Sequence, residues 1–157
     1  MANRSRYFAI FAIVSLFIGI LAAPGYLNAA DQHTNKALVE GANRMVEGNK
    51  AVVDTLAKKG IKDADLTAAE QMMADGRAKV LEGESMMSAG KTEEGKQVAA
   101  SGATMMVKAD KATRTVVAKH GMTEECAVGL GTCDAGKEQI RSVFQSYGLQ
   151  GNWEDVR

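Results

Sequence analysis

Beyond residue 30, apolar residues recur every three or four positions in three long stretches, the period of an α-helix with one buried face. The first spans about 35–59. Leu38, Val39, Ala42, Met45, Val46, Val52, Val53 and Leu56 fall within one half of a helical wheel, and Gly60 is a natural stop. Lys36, Glu40, Arg44, Glu47, Lys50, Asp54 and Lys58 occupy the other half, the usual pattern of a solvated face. The second stretch is predicted to start near Thr67, where Thr67 and Glu70 match a capping box, and to run to about Ala89 before Gly90. The third begins near Thr92, with Glu93 and Glu94 where the helix dipole favours acids, and ends at Lys119 before Gly121. A link this short between the second and third helices forces them antiparallel. A shorter fourth helix is predicted over 134–147, where Ile140, Val143, Phe144 and Tyr147 keep helical spacing before Gly148.

Glycines and methionines share the apolar face. Met72-Met73 and Met86-Met87 lie fourteen residues apart, and Gly76, Gly83 and Gly90 are spaced by seven. On a helix at about 100° per residue these sulfurs and glycines form one stripe. The third helix repeats it with Val98, Gly102, Met105, Met106 and Val116. Glycine in a helix interior costs about 1 kcal/mol relative to alanine. Gly41, Gly48, Gly76, Gly83 and Gly102 together therefore give up roughly 5 kcal/mol. Small residues on a buried stripe let two backbones approach, and methionine fills the uneven gaps. Gly76, Gly83 and Gly102 are thus expected to be helix-packing positions. The alternative is a soft-metal site: thioethers suit Cu(I), and Met72, Met73, Met86, Met87, Met105, Met106, His120 and Met122 are the candidate ligands.

The first thirty residues differ. Arg4 and Arg6 precede an uncharged run from Tyr7 to Ala23, then Pro24-Gly25 and the small residues Ala29 and Ala30. This describes a secretory signal peptide cut after Ala29 or Ala30. Seventeen residues is also about the least that spans a bilayer, so retention as a membrane anchor over 7–23 is the alternative. Export makes the only two cysteines, Cys126 and Cys133, an expected disulfide closing the loop CAVGLGTC. The organisation read from the sequence is a targeting segment over 1–30, a three-helix antiparallel bundle over 31–121, and a disulfide loop, short helix and aromatic tail over 122–157.

Charge and motifs narrow the function. Two of the nineteen basic residues lie in the first thirty, leaving residues 31–157 with a formal charge of −2, which gives no electrostatic pull on nucleic acid. No paired Glu-x-x-His, C-x-x-C-H, Gly-x-Ser-x-Gly, HExxH or phosphate loop occurs, so no enzyme activity and no cofactor beyond Cu(I) is expected. After residue 30 the aromatics are Phe144, Tyr147 and Trp153 alone. Aromatics carry large apolar payloads and favour interfaces, so these three either close one end of the bundle as a cap pinned by the disulfide or are the candidate partner-binding residues. The expectation is an all-α, exported, periplasmic or secreted scaffold that binds a protein partner or a second copy of itself, or that serves as an accessory subunit held to the inner membrane.

Overall fold

The structure, a computed structural model, describes residues 29–149. The targeting segment, Trp153 and the rest of the tail lie outside the described residues. Four helices account for the fold: α1 (Ala29–Lys58), α2 (Ala64–Ser88), α3 (Thr92–Lys119) and α4 (Ala127–Ser146). Among the described residues there is no strand, and no helix is long and apolar enough to cross a membrane.

The four glycine stops hold. Gly60, Gly90, Gly121 and Gly148 follow the helix ends with φ between 64° and 87°. The residue after each glycine donates its N–H back to the carbonyl five residues earlier, as in Ile61 to Leu56 and Met122 to Val117. At those two ends and at Leu149 to Phe144 both residues are apolar, so the cap also covers the core. The α2 start differs from expectation. Asp63, not Thr67, is the cap, and its carboxylate accepts the Asp65 N–H at 3.0 Å. Lys119 donates to the same carboxylate at 2.9 Å, a tertiary contact that the local motif does not contain.

The larger correction concerns residues 127–133. They are not a disulfide loop but the first two turns of α4, and Cys126 and Cys133 are free thiols. Cys126 caps the helix in αR conformation. Seven residues of helix separate two Cα atoms by about 10 Å, beyond the roughly 7 Å a disulfide can bridge. The glycines that make CAVGLGTC read as a loop have another use. A Cβ on Gly129 would lie 2.8 Å from the Gly48 carbonyl oxygen, and one on Gly136 would lie 2.5 Å from that of Gly41. Two backbones pack there, and no larger residue fits.

The same device joins α2 to α3. A Cβ on Gly83 would lie 2.5 Å from the Gly95 oxygen, and one on Gly102 would lie 2.5 Å from the Gly76 oxygen. Each of the four helices therefore carries two glycines seven residues apart, and they face one another in antiparallel couples: Gly41 with Gly136, Gly48 with Gly129, Gly76 with Gly102, and Gly83 with Gly95. Methionine lies beside these seams, as expected. Met45 touches Gly136, Met106 touches Gly76, and Met87 touches Gly95.

The bundle is thus two glycine-seamed pairs, α1/α4 and α2/α3, packed face to face. Leu38, Met45, Met73, Met87, Met106 and Phe144 fill the core at one end, and Val52, Leu56, Leu66, Val116 and Leu130 at the other. Several polar contacts cross between the pairs. Arg77 donates to Asn43 at 2.7 Å, and Thr113 donates to Asn49 at 2.7 Å with both side chains buried. Asp110, 3 % exposed, holds Arg114 at 2.9 Å and Lys137 at 3.4 Å, and Arg114 reaches on to Asp134 at 2.8 Å. Burial opposes the Arg114 charge, but the two carboxylates outweigh it and hold the guanidinium above its ordinary pKa.

Candidate interaction site at the proximal end

The up-down-up-down order puts the start of α1, the end of α2, the start of α3 and the end of α4 at one end of the bundle, here called proximal. The aromatic cluster forms there. Phe144 and Tyr147 stand with ring centroids 6.3 Å apart, one helical turn from the Schellman stop at Gly148. Phe144 is fully buried in the core. Tyr147 is half-buried, and its hydroxyl donates to Asn35 Oδ1 on α1 at 2.5 Å. Of the three aromatics read as partner-binding, the structure makes Phe144 a core residue and leaves Tyr147 at the surface, while Trp153 lies beyond the described residues.

Around Tyr147 the charges are specific. Lys96 Nζ lies 5.4 Å from the ring centroid, a cation–π contact, and pairs with Glu93 at 2.8 Å. Burial, reinforced by Asp31 and Glu84, pushes the Tyr147 phenol up to about 12. Asp31, Asn35, Met87, Thr92, Lys96 and Tyr147 line a cavity of about 150 Å³ between the helix ends.

The opposite, distal end holds a shallower trough of about 400 Å³, with Val53, Ala57, Ile61 and Leu66 along it. His120 is exposed there, 3.6 Å from the Asp63 carboxylate. Val128 at the start of α4 is the one large hydrophobic that stands exposed among the described residues, at 83 %.

The eight residues read as soft-metal ligands do not all gather at one place. Met73, Met87, Met106 and Met122 are buried, and Met72, Met86 and Met105 are partly buried. The seam register sets Met72 and Met73 level with Met105 and Met106, while Met86 and Met87 lie fourteen residues further along α2, about 20 Å away. His120 and Met122 are at the distal end, so the eight residues span the bundle. Among the described residues no group of three or more His, Cys, Asp or Glu side chains is placed to hold a metal ion. The thiols are poor nucleophiles as placed. Burial, with Asp110 adding to it, pushes Cys133 up to about 12, and burial with Glu125 raises Cys126.

Two groups at the proximal end went unnoticed in the pattern reading, Asn35 and Lys96. Asn35 had a signal. It continues the Leu38, Ala42, Met45 stripe of α1, and a polar residue on an apolar stripe needs a partner. Lys96 had none, because it reads as one more charge on a solvated face. Compared with known proteins, the chain matches no family model, no curated protein and no solved structure.

Proposed function

We propose that the chain is an exported, non-enzymatic scaffold of a bacterial envelope that binds a protein partner at the proximal end of its bundle. One observation carries the reading. The point where the N-terminal segment joins α1 and the point where the aromatic tail leaves α4 lie at the same end, with the Tyr147 hydroxyl bonded to Asn35. The N-terminal segment and the C-terminal tail therefore attach to the bundle at the same end. Cleavage leaves a free N-terminus beside the tail. Retention holds the tail near the membrane surface, as suits an accessory subunit. The Met/Gly stripe is a weaker docking surface, because the seams already occupy it.

Truncation tests the reading, and the structure decides where to cut. A cut at residue 134 removes Gly136, Ile140 and Phe144 from α1, so it tests folding and not binding. A cut after Leu149 leaves all four helices and the last Schellman cap. The expected result is unchanged helicity and melting temperature with loss of the adduct that a photocrosslinker at position 147 forms with its partner in cells. An adduct of equal yield after truncation, or one formed equally well from position 131 near the distal end, removes the proposal.

A further inference from the structure

The two glycine seams differ on their outer sides. Arg77 and Asp110 mark the inner side of the α2/α3 seam, since they reach Asn43 on α1 and Lys137 on α4. On a helical wheel the residues four before the first seam glycine and three after each seam glycine lie on the opposite, outer side. On α1 and α4 these positions hold Ala37, Arg44, Ala51, Glu125, Thr132 and Gln139, and the Gln139 amide donates across to the Ala37 carbonyl at 2.9 Å. On α2 and α3 they hold Met72, Lys79, Met86, Lys91, Val98 and Met105. The four apolar side chains among these are only partly buried, and no described helix lies over them. The glycines are occupied in the seam, but the residues flanking it form an apolar face that the chain itself does not cover.

The charges framing this face say what fits it. Asp75, Lys79 and Glu82 stand along α2, and Lys91, Glu94 and Lys108 along α3. None of the six has an ion pair with a described residue, whereas Lys36–Glu40 and Lys50–Asp54 pair locally on α1. Asp75 and Lys79 are centred on Arg77, and Glu94 and Lys108 on Ser101. The seam sets Gly76 opposite Gly102 and Gly83 opposite Gly95, so Arg77 and Ser101 stand level. A two-fold axis through that level, across the helices, lays α2 and α3 antiparallel on α2 and α3 of a second copy. It brings Asp75 to Lys79 of the second copy and Glu94 to Lys108 of the second copy, each pair formed twice. An axis along the helices would instead set Glu82 beside Glu94 of the second copy. We propose that the outer face of α2 and α3 is the interface of an antiparallel homodimer, with its two-fold axis at Ser101. With 25 residues in α2, the face is about 38 Å by 18 Å, and its roughly 700 Å² per copy is near the roughly 800 Å² that a stable interface buries on each partner. The methionines adapt to one another and supply the apolar contact. Exposed ion pairs add little affinity but fix register and orientation. The dimer leaves both proximal ends uncovered and pointing in opposite directions, so it stands apart from the partner-binding reading.

Sedimentation equilibrium of the chain purified from cells should show twice the chain's mass at high concentration and dissociation on dilution. Lys108→Glu and Glu94→Lys should each weaken the dimer at least tenfold with helicity unchanged. The chain carrying both reversals should recover most of that loss, because each pair is restored with its signs exchanged. If one single variant fails to fold, the other carries the test. Ser101→Cys should crosslink to a second copy under mild oxidation, since the axis sets the two thiols together, and Ser142→Cys, exposed on α4, should not. A monomer at every concentration, or a dimer that both single reversals leave intact, overturns the interface. A double reversal no tighter than the single ones, or equal crosslinking from Ser142→Cys, overturns the antiparallel register.

Discussion

The two helix pairs use one seam and build it from different parts of the chain. Three residues join α2 to α3, whereas sixty-eight separate the end of α1 from the start of α4. Closing the longer loop costs on the order of 3 kcal/mol more in chain entropy. The seams themselves are matched, with paired glycines in equal register. The difference lies in dependence: α2/α3 can form as a local hairpin, and α1/α4 must assemble around it. The polar contacts between the pairs fit this division. Arg77, Thr113 and Asp110 all reach out from the hairpin to fix the later pair.

The strongest way to break the comparison is a large side chain in each seam. Gly83→Leu and Gly48→Leu both place carbon inside a backbone-to-backbone contact, and each should cost more than about 3 kcal/mol. Gly83→Leu should abolish helicity altogether. Gly48→Leu should leave a protease-resistant α2–α3 fragment with residual helical circular dichroism. Equal loss in both variants would show that the hairpin depends on α1/α4 as much as α1/α4 depends on it.

Two glycines in α4 sharpen it at single-methyl scale. Gly129→Ala pushes a methyl to 2.8 Å from the Gly48 oxygen and should lower stability by about 1–3 kcal/mol. Gly131, two residues on, has open space, so Gly131→Ala should raise stability by about 1 kcal/mol through helix propensity alone. Urea midpoints measure both, and signs that agree would refute the seam.

Alkaline pH should loosen the pairs unequally. Cys133 and Tyr147, both on α4 and its C-terminal cap, are held near 12 in the folded chain against ordinary values of 9.0 and 10.0. The folded state keeps protons that the unfolded state releases, so this contribution is whole below pH 9 and fades as pH rises towards 12. The urea midpoint should therefore fall between pH 9 and 11, and the slope should flatten in a Cys133→Ala/Tyr147→Phe variant. A slope unchanged by the double substitution would place the titration elsewhere. The smallest effect is at the link between the pairs. Asp63→Ala should lower the urea midpoint only slightly, through the lost cap on α2 and the lost Lys119 contact.

Much of the hairpin was legible in the sequence. Gly76, Gly83 and Gly102 on an apolar stripe, with a glycine-stopped link of three residues, predict the α2/α3 seam without any long-range information. The α1/α4 seam was half legible. Gly41 and Gly48 were visibly misplaced in a helix, but nothing local says that their partners are Gly129 and Gly136. Those two sit in CAVGLGTC and its continuation, where propensity favours a loop and paired cysteines favour a disulfide. A distant backbone overrides both. Tyr147 was found because aromatics are scarce here. Asn35 was missed because its significance depends on what stands beside it at the far end of the chain.

A contact made between bare backbones tolerates variation of one kind and not another. Six residues lie between the glycines of every helix, and their identities are free wherever they face solvent. Their number is not. Seven steps of about 100° bring the second glycine back to nearly the same side, and one residue more or fewer swings it away by about 100°. A deletion of a single exposed residue such as Glu47 or Glu82 should therefore do more harm than replacing every exposed residue around it.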